Sequence, residues 1–251
     1  MSNRVSIDNT QTTRLELAGV TVEFGGHAVL DDVTFSASSG NLLGVVGPNG
    51  AGKSTLFNVI AGLQRVVKGS VQTRFFSDSA GGLAYVPQRD QINWRFPVTV
   101  EDVVAMGRLR KRSWFRRIGT VDKEVISAAL ERVGLTHRRS TLVTELSGGQ
   151  RQRTFVAKAL AQEAEILLLD EAFTGVDVGA QETLVEVLKS LRDDGKIVLM
   201  ATHDLTNLAE RFDQVLCLNH HICAFGDPSV AFTPEVLEEL YGAHGLDFGH
   251  S

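Results

Sequence analysis

Residues 47–54 read Gly47, Pro48, Asn49, Gly50, Ala51, Gly52, Lys53, Ser54, and no other stretch narrows the fold so far. The pattern is G-x-x-x-x-G-K-[ST], which needs a buried strand before it and a helix after it. Residues 42–46 are continuously apolar, as a strand covered on both faces tends to be. From Thr55 to position 61 the chain has helix-forming composition. Glycines let the backbone bend so that successive N–H groups converge on phosphate oxygens. The helix N-terminus adds partial positive charge at the same point. In this motif Lys53 reaches the β- and γ-phosphates and the Ser54 hydroxyl ligates Mg²⁺.

Further apolar runs at 166–169 and 197–200 read as buried strands, and helical spacing lies between them. Leu184, Val187, Leu188 and Leu191 follow i, i+3, i+4, i+7 and stop before Gly195; Ile126, Leu130 and Val133 form a similar stripe. Strand–helix alternation predicts an α/β domain with a mostly parallel core sheet. Alternation over 15–35 predicts an N-terminal antiparallel β region, and 88–163 reads as an inserted helical subdomain. The expected organisation is a loose arm over 1–13, one domain over 14–245 and a tail over 246–251. Strand 166–170 ends in Asp170, followed by Glu171. A strand-end carboxylate beside the phosphate loop can orient Mg²⁺ or its water, and the next carboxylate is placed to polarise an attacking water.

Composition removes several classes. Hydrophobic residues make up 43%, enough for a sizeable core. Lys plus Arg is 25 against 30 Asp plus Glu, a balance that argues against a dedicated nucleic-acid binder. Cys217 and Cys223 cannot build a disulfide framework and fit a reducing compartment. No apolar run approaches the ~20 residues that cross a bilayer, so any membrane link is expected to be peripheral.

Residues 146–150 read Leu-Ser-Gly-Gly-Gln, with Ser147, Gly148, Gly149 and Gln150 able to open a helix toward an anion. With the phosphate loop before it and Asp170-Glu171 after it, the chain resembles the nucleotide-binding subunits of ATP-binding-cassette (ABC) transporters from about residue 15 to 242. The resemblance implies a P-loop NTPase of ABC ATPase type, ATP and Mg²⁺ as ligands, and a site shared across a homodimer. In that arrangement Ser147 and its neighbours meet the γ-phosphate of ATP held by the other copy. It also implies roles for Phe24 as an adenine platform, Gln88 as a sensor of Mg²⁺ and water, Asp177 as a link across the dimer, and His203 as a γ-phosphate ligand. Read alone, Phe24 could also be a strand core residue. Where the family usually has Pro after the Asp-Glu pair, this chain has Ala172.

The stretch 87–108 carries Trp94, Phe96, Pro97, Thr99 and Val100, then Met106, Gly107 and Arg108. It is similar to the ATPases of manganese, zinc and iron uptake systems. That similarity implies a membrane permease docked near Gln88, an extracytoplasmic metal-binding protein as an indirect partner, and a place at the cytoplasmic face of the membrane. Trp94 and Phe96 are candidate anchors for a permease helix or, alternatively, packing for the helical subdomain. The competing classes are an ATPase of another ABC importer (iron chelate or cobalamin-like) and a soluble ABC ATPase, as in iron–sulfur assembly. Six basic residues over 108–117 read as a solvated loop, with contact to anionic lipid as the other option. Cys217, His220, His221 and Cys223 have spacings that could hold a metal, and turn length decides it. A two-residue turn at 219–220 separates the cysteines, whereas a three-residue turn brings them together.

Overall fold

The computed structural model describes residues 13–75, 82–88, 96–109, 118–171, 178–205 and 207–242. Its centre is a six-stranded sheet built from β3 (Asn41–Val46), β5 (Leu83–Val86), β6 (Ile166–Asp170), β7 (Ile197–Thr202), β8 (Gln214–Asn219) and β9 (His221–Gly226), in the order β5-β6-β7-β3-β8-β9. All neighbours pair in parallel except the β8–β9 hairpin. The continuous apolar runs follow from two covered faces. Ile166, Leu168, Ile197, Leu199, Leu43 and Val45 face one core; Leu167, Leu169, Val198, Met200, Leu42 and Val46 face the other. Every residue of β6 and β7 is buried.

The first core is closed by α1 (Lys53–Ile60) and by a three-stranded antiparallel sheet of β1 (Arg14–Phe24), β2 (His27–Ser38) and β4 (Lys68–Arg74), ordered β2-β1-β4. Strands β4 and β5 have no counterpart in the expectations above. The first, KGSVQTR, is largely exposed and polar and carries no apolar run; the second, LAYV, is apolar throughout and half-buried or buried. Pairing, not composition, makes β4 a strand.

The second core is closed by the helical subdomain, α2 (Val100–Ala105), α3 (Thr120–Arg132) and α4 (Gly148–Ala161), and by α5 (Val178–Asp193). Short helices α6 (Leu208–Arg211), α7 (Pro228–Ala231) and α8 (Pro234–Tyr241) finish the chain. Among described residues, 88–163 contains no strand, only a single bridge between Thr99 and Leu142. Helix α2 starts on a reciprocal cap between Thr99 and Asp102. The Met106, Gly107, Arg108 run has a structural reason. A Cβ on Gly107 would lie 2.3 Å from the Lys158 carbonyl, so only glycine lets this turn cross α4. Arg108 then donates to the Ala161 carbonyl at 2.8 Å and pairs with Asp122 at 3.0 Å and Glu163 at 2.5 Å, binding the end of α4 to α3. Arg108 therefore leaves the group of solvated basic residues.

Candidate active site

The phosphate loop runs from the end of β3 to α1, and its shape is fixed by what lies beneath it. A Cβ on Gly47 would sit 2.1 Å from the Leu218 carbonyl, and one on Gly52 would sit 2.7 Å from the Val29 carbonyl. Gly50 and Gly52 have φ of 85° and 99°, which other residues rarely adopt. The Ala51 carbonyl accepts from the His220 N–H at 2.9 Å, so the β8–β9 turn supports the loop from below. Gly52 is the N-cap of α1 and offers no side chain to the first turn, leaving those N–H groups for an anion.

Lys53 is 5% exposed, and its ammonium donates to the Gly47 and Pro48 carbonyls at 2.8 and 2.9 Å. Burial lowers its pKa, while the charges of Glu171 and Asp170 oppose the fall. A cation held partly desolvated beside a ring of N–H donors is suited to a polyphosphate.

Asp170 ends β6 and is 1% exposed. Burial pushes its carboxyl above the ordinary range; hydroxyl bonds from Ser54 and Tyr85 oppose that, Glu171 adds to it, and Lys53 counters it. The Tyr85 hydroxyl donates to Oδ2 at 3.2 Å, and its ring packs edge-on to Phe57. Oδ1 is buried and has no hydrogen-bond partner. A buried carboxylate oxygen with an open lone pair, beside a serine hydroxyl, fits a hard divalent cation such as Mg²⁺.

Glu171 has φ of 49°, unusual for a residue with a side chain. Its Oε2 accepts from Gln88 Nε2 at 3.0 Å, and its Oε1 lies 3.7 Å from His203 Nδ1. His203 follows β7, where the Asp204 N–H donates to the Thr202 hydroxyl at 3.0 Å and turns the chain. Three residues distant in sequence thus meet at the ends of β5, β6 and β7, where parallel sheets place their chemistry.

Between them lies a cleft of about 590 Å³, lined by Phe24, Val29, Asn49, Gly50, Gly52, Lys53, Ser54, Thr55, Gln88, Glu171 and His203. That volume suits a nucleotide-sized ligand. Phe24 is 50% exposed at the end of β1, so it is not a core residue. Gly47, Pro48 and Ala51 do not line the cleft; they hold the residues that do.

Ser147, Gly148, Gly149 and Gln150 are not among the lining residues. Ser147 is the exposed N-cap of α4, and it exchanges hydrogen bonds with Gln150 at 3.0 and 3.3 Å. Asp177, Ala172, Trp94, the basic residues at 110–117, the arm up to residue 12 and the tail from 243 lie outside the described residues. Sequence reasoning missed Val29 and Tyr85, because a valine or tyrosine in a strand gives no motif. It also missed the hairpin turn under the loop.

A strand-end Asp-Glu pair facing a phosphate loop, with a histidine and a glutamine closing on the second carboxylate, defines an ATP-hydrolysing P-loop enzyme. Its relatives show the family. A family model described as "ABC transporter" matches residues 30–174. The manganese transport system ATP-binding protein MntB of Halalkalibacterium halodurans is 42% identical over 229 residues, covering 90% of this chain and 91% of that protein. The zinc transport system ATP-binding protein TroB of Treponema pallidum is 41% identical over 230 residues, covering 91% of this chain and 86% of that protein. Among solved structures, a metal-chelate type ABC transporter in an inward-facing conformation superposes with a TM-score of 0.82 at 28% identity, covering 91% of this chain and 88% of that one. The chain belongs to the ABC transporter family, and it is an ATP hydrolase of that family.

Proposed function

We propose that this chain powers import of a divalent metal ion (manganese, zinc or iron) through a membrane permease that it meets from the cytoplasmic side. The reading is carried by relatives, named for manganese and zinc transport, that align over 90% and 91% of the chain. The permease, with an extracytoplasmic metal-binding protein, would select the ion. No nucleic acid takes part.

In this reading the adenine stacks on Phe24 and the phosphates lie over Asn49, Gly50, Gly52 and Thr55. Lys53 exchanges its loop carbonyls for phosphate oxygens. Ser54, Asp170 and Gln88 are the residues that would hold Mg²⁺, which supplies positive charge against the phosphates. Glu171 accepts the proton of the attacking water, while Gln88 and His203 fix the carboxylate and the γ-phosphate geometry. Ser147, Gly148, Gly149 and Gln150 complete the site of a second copy, with Asp177 at the same interface. Their absence from the cleft of their own chain supports that shared arrangement.

The test is reconstitution of the chain with its permease in lipid vesicles, followed by ATP-driven uptake of radioactive manganese, zinc and iron. Uptake of at least one ion, abolished by Lys53→Ala, is expected. ATP hydrolysis with movement of none of the three would overturn the cargo assignment and leave the ATPase assignment standing.

A further inference from the structure

Two of the four residues with metal-like spacing at 217–223 come together, and a third partner arrives from elsewhere in the chain. The β8–β9 hairpin pairs Asn219 with His221 around His220, whose φ is 64°, and its register slips between Cys217 and Leu218. His221 and Cys223, two residues apart on β9, are brought beside Glu239 of α8, which packs against this hairpin. One ligand atom from each of His221, Cys223 and Glu239 lies within 4.8 Å of the other two. His221 Nε2 is 2.6 Å from Glu239 Oε1, and the Cys223 thiol donates to the His221 carbonyl at 3.9 Å. Of the other two candidates, His220 faces the Val29 carbonyl at 3.3 Å, and Cys217 is fully buried.

We propose that His221, Cys223 and Glu239 form a binding site for a borderline transition-metal ion, with Zn²⁺ the best match. The donor set decides the class of ion. One imidazole nitrogen, one thiolate and one carboxylate suit Zn²⁺ or Co²⁺, whereas Mg²⁺ and Mn²⁺ favour oxygen alone. Donors around a tetrahedral Zn²⁺ stand about 3.5 Å apart, so the ion would part His221 Nε2 from Glu239 Oε1, now 2.6 Å apart, and needs no donor to close in from beyond 4.8 Å. His221 and Glu239 are exposed and give the ion an approach, while half-buried Cys223 anchors it. The three donors leave a fourth position for water. The backbone is already tied, since Asn219 Nδ2 donates to the Glu239 carbonyl at 3.0 Å. The site abuts the catalytic apparatus. His220, adjacent to a ligand, is the residue whose N–H supports the phosphate loop. It stands independently of the transported ion, so failure of either reading leaves the other intact.

The experiment uses the full chain, tag-free, reduced and without nucleotide, titrated with Co²⁺ as a spectroscopic stand-in for Zn²⁺. We expect one equivalent to produce a near-ultraviolet thiolate-to-cobalt band that Zn²⁺ abolishes. Cys223→Ser should lose the band while keeping ATP binding, which shows that it is folded. His221→Ala and Glu239→Gln should each weaken Co²⁺ binding by at least about tenfold. Zn²⁺ should raise the melting temperature of the parent and not of Cys223→Ser. A band that survives in Cys223→Ser, no band with excess Co²⁺, or parental affinity in both other variants would overturn the site.

Discussion

Asp170 is buried at the end of a strand in which every residue is buried, and its carboxyl is held above the ordinary range chiefly by desolvation. Between the ordinary carboxylate value and that raised value the folded chain binds the proton more tightly. Stability therefore falls as pH climbs through that window, and the loss persists at neutral pH. Asp170→Asn should raise the melting temperature of the nucleotide-free protein at pH 7, and the gain should vanish below the ordinary carboxylate range. Glu171, the larger of the two charges acting on Lys53, remains in the variant. The same change should weaken Mg²⁺-dependent ATP binding. A variant that melts at or below the parent at pH 7 would show that desolvation is not the dominant influence. Glu171→Gln keeps shape and removes the carboxylate proposed as the base, so ATP should bind while turnover drops ~10²–10⁴-fold in a phosphate-release assay, and near-parental turnover would overturn that role. Phe24, half exposed, can be cut to alanine with little loss of core. Phe24→Ala should weaken ATP binding by ~1–3 kcal/mol in calorimetry, and an unchanged dissociation constant would remove it from the site.

Elements here are held by close backbone approaches that a single methyl group would break. Gly107 lets the turn after α2 cross α4, with 2.3 Å between a hypothetical Cβ and the Lys158 carbonyl. Gly107→Ala must push the two apart and strain the Arg108 contacts at the end of α4. The expected cost is about 1–3 kcal/mol, read as a lower urea midpoint. ATP binding by the folded fraction should persist, because the phosphate loop belongs to β3 and α1. An unchanged midpoint would mean that the helical subdomain slides at no cost, contrary to its packing. Gly47 plays the same part under the loop, where the Leu218 carbonyl occupies the space a side chain would need.

For the whole molecule, the decisive fact is that Ser147 and the cleft of the same chain are separate. If two copies complete each other's sites, Glu171→Gln with ATP and Mg²⁺ should accumulate as a dimer in light scattering. Ser147→Arg in that background should return it to monomer, because the side chain would fill the place of the facing γ-phosphate. A dimer indifferent to Ser147→Arg would refute the shared geometry. Phe96 is 64% and Leu109 59% exposed on the helical subdomain, so neither serves the core.

By itself the sequence determined the class and the chemistry. Gly47 to Ser54, Leu146 to Gln150 and the Asp170-Glu171 pair are local patterns whose backbone demands are met within a few residues. Apolar runs in β3, β6 and β7 were likewise legible, because strands covered on both faces must be apolar throughout. Strand β4 was not legible, since an exposed edge strand carries no such demand and exists through its partners, whereas Leu83–Val86 has the apolar run and lacks a counterpart in the expectations only because it is so short. Exposure was also undetermined: Phe24 could have been core or surface until β1 ended at the cleft mouth. So was the fate of the cysteine and histidine cluster. A single register slip between Cys217 and Leu218, and helix α8 arriving with Glu239, decided which residues meet. Those are long-range pairings, and no local spacing encodes them.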